Sequence, residues 1–242
     1  MRTFNIITIM ALWIGLIAHA FAGPLDDAVA AERRDDCGTA VPIYRTLAAK
    51  GVAEAYKRLG YFNEIGYCAK RDWLEAAKWY GKAVAAGDES SAASLGHIGR
   101  NWRFMYRNTP MDPIIYELIE KAAKDGSAVA QFSLGVINYP IGDQSFDENQ
   151  GNLNEALIWY RRGADQGDID SQVALGLAYA EGLGLPQDFV EAHKWYNLAA
   201  SRVKYADMRA DFQKRRDDLA AKMTAAQIAE AQKLARHWKA TK

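Results

Sequence analysis

The chain has 242 residues, half of them hydrophobic and a quarter charged, which is typical of a folded globular protein and excludes a disordered or collagen-like chain. Its 30 Lys and Arg residues balance its 30 Asp and Glu residues, which argues against a nucleic-acid partner because phosphate contacts need a basic surplus. Two cysteines are too few for a disulfide-rich scaffold or a four-thiolate zinc site.

Residues 1–22 predict a cleavable secretory signal peptide. Arg2 is followed by an apolar run over residues 4–17 and then by small residues around Ala20 and Ala22. An uncleaved membrane anchor is the alternative, but the run is shorter than the ~20 residues that a spanning helix needs. Cleavage fits after Ala20 or after Ala22, and we take Ala22. We therefore expect a periplasmic or secreted protein with no membrane span after cleavage.

Cys37 and Cys68 are predicted to form a disulfide, because an exported compartment is oxidising. On the chain-entropy account, a bridge over this loop stabilises the fold by about 3 to 4 kcal/mol. Two free, half-buried thiols are the alternative, since the sequence does not show that the two Cα atoms come within ~7 Å.

Three landmarks recur along the chain with a period near 36 residues, which indicates a repeat protein. The first is a Leu-Gly pair, at Leu59-Gly60, Leu95-Gly96, Leu134-Gly135 and Leu175-Gly176. The second is an aromatic pair, at Trp79-Tyr80, Trp159-Tyr160 and Trp195-Tyr196, with Leu118-Ile119 in the equivalent place. The third is a closing glycine, at Gly51, Gly87, Gly126 and Gly167. The Leu-Gly pairs and the closing glycines both drift by the same increments of 36, 39 and 41 residues.

Each repeat is predicted to contain two helices, most clearly in the fourth. A helix over residues 171–181 ends in a turn over 182–186, and Asp188 then caps a second helix. A glycine such as Gly176 inside a helix costs about 1 kcal/mol, which is explained if it lets the Trp-Tyr helix approach closely. We therefore predict that the Trp-Tyr pairs belong to the core.

The segment from Ser171 to Ala200 resembles the Sel-1-like repeats, a subclass of the tetratricopeptide-like α/α solenoids, at nearly every fixed position. Residues 223–238 are similar to the tail that often closes exported bacterial members. The resemblance implies an all-α, right-handed superhelical solenoid. It places four repeats, preceded by a half-unit helix, over residues 37–202 and capping helices over residues 203–239.

Members of this family are mostly interaction modules. The resemblance therefore implies a non-enzymatic adaptor or regulator of the bacterial envelope, a monomer when alone, that binds a protein or peptide partner in its concave groove without a cofactor. The alternative is a periplasmic inhibitor or immunity protein that neutralises a toxin. A less favoured alternative is a penicillin-binding or β-lactamase-like enzyme, because Ser201 and Lys204 match Ser-x-x-Lys without the other motifs of those enzymes. No histidine pair has metal-ligand spacing, so no metal site is predicted.

The candidate partner-binding residues come from two observations. Counting from each Leu-Gly pair places several side chains at positions that line the groove in tetratricopeptide-like proteins. The second repeat also lacks the usual turn after its first helix and carries arginines beside aromatics, a composition favoured at interface hot spots. A solvated basic face and a register error that makes groove positions core positions are the alternatives. The candidates are Tyr61, His97, Arg100, Trp102, Arg103, Phe132 and Tyr139.

Overall fold

A computed structural model describes residues 23–105, 110–141 and 152–241. The predicted signal peptide lies outside the described residues. Those residues form twelve α-helices and no strand, which confirms the all-α prediction. The helices are α1 (Pro24–Glu32), α2 (Cys37–Ala49), α3 (Ala53–Ile65), α4 (Trp73–Ala85), α5 (Ser90–Met105), α6 (Pro113–Lys124), α7 (Ala128–Asn138), α8 (Leu153–Gln166), α9 (Ile169–Glu181), α10 (Phe189–Arg202), α11 (Ala206–Ala220) and α12 (Ala225–His237).

The chain divides into two compact units at the boundary between Asp88 and Glu89. The N-terminal unit contains α1 to α4, and the C-terminal unit contains α5 to α12. No helix among the described residues is long and apolar enough to cross a lipid bilayer.

In the N-terminal unit, successive helices pack against one another around a core that includes Tyr44 and Phe62. The carboxylate of Glu32, the last residue of α1, ties three helices together. It accepts a hydrogen bond from the Tyr44 hydroxyl at 2.7 Å and pairs with Arg58 of α3 at 3.3 Å. Helix α1 is not among the elements predicted from the sequence.

Cys37 and Cys68 form the predicted disulfide, with their Cα atoms 5.2 Å apart. Cys37 begins α2, and Cys68 lies in the loop that follows α3, so the bridge fixes that loop against the start of α2. The neighbouring Tyr67 hydroxyl donates to the Asp35 carboxylate at 2.7 Å. This hydrogen bond is the main reason that the pKa of Tyr67 rises to about 12.

In the C-terminal unit, the helices form the pairs α5–α6, α7–α8 and α9–α10, and α11 and α12 then pack on α10. The core contains Tyr160 of α8, Leu175 of α9 and Trp195 of α10. After α12 the chain runs back toward α8, where the Thr241 amide donates to the Asp165 carbonyl at 2.8 Å.

The turns follow the predicted repeat chemistry. The four closing glycines all have φ between 82° and 104°, a left-handed conformation that ends a helix at little cost only for glycine. Gly182 ends α9 in the same way, with φ 71°. Asp188 caps α10 by accepting hydrogen bonds from the amides of Val190 at 2.9 Å and Glu191 at 3.1 Å.

Three of the four Leu-Gly glycines, Gly60, Gly135 and Gly176, mark the predicted close approach between the two helices of a repeat, whereas Gly96 faces the next repeat. A Cβ atom on Gly60 would lie 2.8 Å from the Tyr80 ring, and one on Gly176 would lie 2.8 Å from the Tyr196 ring. Most members of the Trp-Tyr pairs are buried, as predicted, but Trp79 is only half-buried.

Gly176→Ala is expected to lower the free energy of unfolding by up to about 2 kcal/mol. Alanine gains about 1 kcal/mol of helix propensity, but forcing a methyl group into the Tyr196 ring costs about 1 to 3 kcal/mol. Gly38 of α2 provides the control, because a Cβ there makes only an ordinary contact at 3.6 Å. Urea unfolding should show a loss for Gly176→Ala and none for Gly38→Ala; equal effects would contradict the close-approach explanation.

Candidate partner-binding site

Three of the predicted partner-binding residues meet around the guanidinium of Arg100. His97 and Arg100 lie one turn apart on α5, and Phe132 lies on α7. The Arg100 Nη2 donates to the His97 Nδ1 at 2.9 Å, and that ring nitrogen must be the acceptor because arginine only donates. The guanidinium also lies 5.4 Å from the centre of the Phe132 ring. We call His97, Arg100 and Phe132 the arginine cluster.

Ser133 holds Arg100 in place and was not among the predicted residues. Its buried hydroxyl accepts a hydrogen bond from Arg100 Nη1 at 2.6 Å and donates to the Val129 carbonyl at 2.7 Å. Gly96 of α5 faces Ser133, so α5 and α7 approach closely at this point. The sequence does mark the position of Ser133, which directly precedes a Leu-Gly pair. Its contact with Arg100 is not marked, because Arg100 belongs to the neighbouring repeat.

Arg100 is the charged centre of the arginine cluster, and among the described residues no anion lies close to it. Burial lowers the pKa of Arg100, while Asp170 and Asp168 act in the opposite direction from a distance. Within the described parts of the chain, no carboxylate lies within 4.0 Å of the Arg100 guanidinium. Its hydrogen bonds go to a serine hydroxyl and an imidazole nitrogen, and both of these acceptors are neutral.

Asp168 belongs to the structural frame beside the cluster. It caps α9 by accepting a hydrogen bond from the Ser171 amide at 2.8 Å. Burial nevertheless raises the pKa of Asp168. Asp170, in the first turn of α9, is exposed. The Asp168 and Asp170 carboxylates therefore act on the Arg100 charge from a distance and do not form an ion pair with it.

Two of the remaining candidates lie on the same helix as Arg100, and one lies in the N-terminal unit. Trp102 and Arg103 are half-buried on α5; Arg103 shares a face with Arg100, whereas Trp102 does not. Tyr61 lies on α3 of the N-terminal unit and is 40% exposed.

Tyr139 lies in the core of the C-terminal unit, with 9% of its surface exposed. Helix α7 ends at Asn138, and Tyr139 has an extended backbone with φ −160°. The prediction for Tyr139 assumes that the helix continues through this residue. Because the helix stops before it, the predicted position of the side chain in the groove does not apply. The Tyr139 carbonyl accepts a hydrogen bond from the Tyr160 hydroxyl at 2.8 Å. Tyr139 is left out of the proposed partner surface for this reason.

The Ser-x-x-Lys pair does not lie on one turn of a helix. The Ser201 hydroxyl donates to the Leu198 carbonyl at 2.7 Å, near the end of α10. Helix α10 ends at Arg202, and Lys204 follows it on non-helical chain. Over residues 23–105, 110–141 and 152–241, no group of three His, Cys, Asp or Glu side chains is arranged to hold a metal ion.

The paired helices, the glycines at their crossings and the capped turns define an α/α repeat protein. The Sel1 repeat family model matches residues 53–88, 128–168 and 169–202. The chain belongs to the Sel1-repeat family. The matched segments leave out residues 89–127, which contain α5 and α6. Arg100 and Arg103, the basic residues of the predicted hot spot, lie in this unmatched part.

Known relatives and structures agree with this assignment. The chain is 27% identical over 163 residues to Protein sel-1 homolog 2 of Homo sapiens, covering 65% of this chain and 23% of that protein. It is 28% identical over 157 residues to the Sel1-repeat-containing protein YjcO of Escherichia coli (strain K12), covering 62% of this chain and 65% of that protein. The chain thus spans less than two thirds of either relative.

The crystal structure of a Sel1 repeat protein from Oxalobacter formigenes is similar to 90% of this chain, with 89% of that chain covered. The TM-score is 0.53 and the sequence identity is 22%. This likeness shows the fold.

Proposed function

We propose that this protein is a non-enzymatic binding protein of an exported compartment, and that it holds a segment of a protein partner against the arginine cluster. The Sel1-repeat fold supports this proposal because it is a protein-interaction fold. The single observation that carries it is the state of Arg100, a half-buried guanidinium held in position by Ser133, His97 and Phe132 and, among the described residues, not paired with a carboxylate.

The arrangement suits recognition better than folding stability. An arginine that served only to stabilise the fold would be expected to pair with a carboxylate or to extend into water, since burying an unpaired charge is costly. Here the hydrogen bonds and the ring contact fix the guanidinium before any partner arrives, which reduces the entropy lost on binding. His97 is exposed beside it, so a partner has access to the cluster.

The exported compartment is supported by the Cys37–Cys68 bridge, because disulfides persist mainly in oxidising compartments. The partner is then expected among proteins of that compartment. A partner that is a toxic enzyme, inhibited on binding, would identify the protein as an inhibitor; a resident structural or signalling protein would identify it as an adaptor or regulator.

Arg100→Ala combined with Arg103→Ala is expected to weaken the complex by about 2 kcal/mol, roughly 30-fold in Kd, as is usual for the loss of an interface hot spot. The partner is first recovered from an envelope extract with the purified protein as bait. Affinities of the wild type and the double variant for the purified partner are then measured by calorimetry, and circular dichroism checks that helical content is unchanged.

A matched control removes two other positive charges from the same unit. Lys121 and Lys124 of α6 are exposed and pair with nearby acids, at 2.5 Å with Asp125, the C-cap of the helix, and at 2.8 Å with Glu120. Lys121→Ala with Lys124→Ala should leave the affinity unchanged. An unchanged affinity in the Arg100 and Arg103 variant, or an equal loss in both double variants, would contradict the proposed site.

A further inference from the structure

A separate cleft of about 370 Å³ lies in the N-terminal unit, among α2, α3, α4 and the loop that carries Cys68. Its apolar lining includes Val41 of α2, Phe62 of α3 and Trp79 of α4. The disulfide borders it through Cys68, and the Trp79 ring is held in place by stacking on Tyr56 with ring centres 6.0 Å apart. The volume and the apolar lining fall within the usual range for small-ligand sites.

The cleft lies on the opposite side of α3 from the predicted partner face. Successive residues of an α-helix are rotated by about 100°, so Leu59, Phe62 and Asn63 share one face of α3. The predicted groove residue Tyr61 lies on the other face. A ligand in the cleft would therefore not occupy the surface predicted for a protein partner.

Three polar side chains line the cleft, those of Arg45, Asn63 and Glu75, and only that of Arg45 is positively charged. Arg45 of α2 lines the cleft and is exposed, and no carboxylate or aromatic ring within the described residues lies in contact range of its guanidinium. Glu75 of α4 lies 4.0 Å from Lys78 of its own helix, so its charge is partly compensated. The Asn63 amide nitrogen donates to the Leu59 carbonyl at 2.8 Å.

We propose that this cleft binds a carboxylate with an apolar body. The aromatic or aliphatic body would pack against Phe62 and Trp79, and the carboxylate would pair with Arg45. A guanidinium presents parallel N–H donors that match the two oxygens of a carboxylate, and such charge-assisted pairs are the stronger class of hydrogen bond. Burial of the body supplies the affinity, and Arg45 supplies the selectivity for an acid.

The test compares two probes with the same phenylalkyl body and opposite charge, 4-phenylbutyrate and 4-phenylbutylamine. Titrations of the isotope-labelled full chain are followed by NMR. The acid is expected to bind with a Kd of about 1 mM or tighter and at least about tenfold more tightly than the amine, with shifts centred on the amides around Phe62 and Trp79. Arg45→Gln should weaken binding of the acid about tenfold or more and abolish the preference over the amine.

Lys50→Gln is the matched control, because Lys50 is an exposed cation at the end of the same helix and does not line the cleft. It should leave both affinities unchanged. N-acetyl-glycyl-phenylalanine, with its carboxylate free or amidated, distinguishes the source of the ligand. If the free peptide acid binds more tightly than 4-phenylbutyrate, the ligand is a polypeptide terminus; if it binds more weakly, the ligand is a small organic acid.

Three results would overturn the proposal: no saturable binding of either acid, equal binding of acid and amine, or shifts centred outside the N-terminal unit. Because Arg45 is exposed, Arg45→Gln should fold normally, and circular dichroism checks this. The probes require no protein partner, so this test stands apart from the proposed function of the arginine cluster.

Discussion

Replacing Cys37 and Cys68 together by serine is expected to lower the free energy of unfolding of the N-terminal unit by about 3 to 4 kcal/mol. The bridge joins residues separated by 31 positions, and a cross-link over a loop of this length restricts the unfolded chain by that amount on the chain-entropy account. Cys68 itself has a left-handed conformation, with φ 55°, that a non-glycine residue seldom adopts. Without the bridge, the loop after α3 loses its main anchor to α2.

Urea unfolding of the oxidised wild type and of the double serine variant measures the effect. Wild type kept reduced by dithiothreitol is a second form of the protein without the bridge. The reduced wild type and the double serine variant should lose similar amounts of stability. A loss below about 1 kcal/mol in both would show that the hydrogen bonds of Tyr67 to Asp35 and Glu32 hold this loop without the bridge.

Trp195→Ala is expected to lower the free energy of unfolding of the C-terminal unit by about 3 to 5 kcal/mol, the usual range for truncating a buried tryptophan. Only 1% of the surface of Trp195 is exposed. Its indole nitrogen donates to Glu191 at 3.1 Å, and the Arg161 guanidinium lies 5.4 Å from the ring centre. Removal leaves a cavity where α8, α9 and α10 pack and deprives Glu191 of one of its hydrogen bonds.

Trp195→Phe separates packing from hydrogen bonding. It keeps an aromatic ring and removes the indole N–H, so it should cost less than alanine and more than a neutral surface change, at about 1 to 3 kcal/mol. Guanidinium unfolding followed by circular dichroism measures both variants. Equal, small losses below about 1 kcal/mol would contradict a packing role for Trp195 in the core.

The repeat landmarks could be predicted because each depends on contacts close in sequence. A closing glycine needs a positive φ at its own position, and an Asp cap binds amides two or three residues ahead. In three of the four repeats the Leu-Gly glycine meets the Tyr of its own repeat, as at Gly176 and Tyr196. Contacts of this local kind are sufficient to predict the all-α fold and the pairing of its helices.

Parts of the site could not be predicted because they depend on contacts between repeats or on where a helix ends. The Ser133 hydroxyl accepts a hydrogen bond from Arg100, which lies 33 residues earlier in the chain. No local sequence pattern indicates a contact over that separation. Tyr139 falls outside the counting scheme because α7 stops one residue before it. Trp79 shares its motif with the core Trp195, yet packing in its own unit leaves it half-buried beside a cleft.

Site-specific photo-crosslinking tests the proposed binding surface most directly. One residue at a time is replaced by the photoreactive amino acid p-benzoylphenylalanine. His97, in the arginine cluster, is compared with Ile158, a side chain of α8 that is 54% exposed and lies outside the cluster. In envelope extract, the His97 position is predicted to crosslink one dominant protein, and Arg100→Ala in the same chain should remove most of that product. Crosslinking from the Ile158 position and none from the His97 position would contradict partner binding at the arginine cluster.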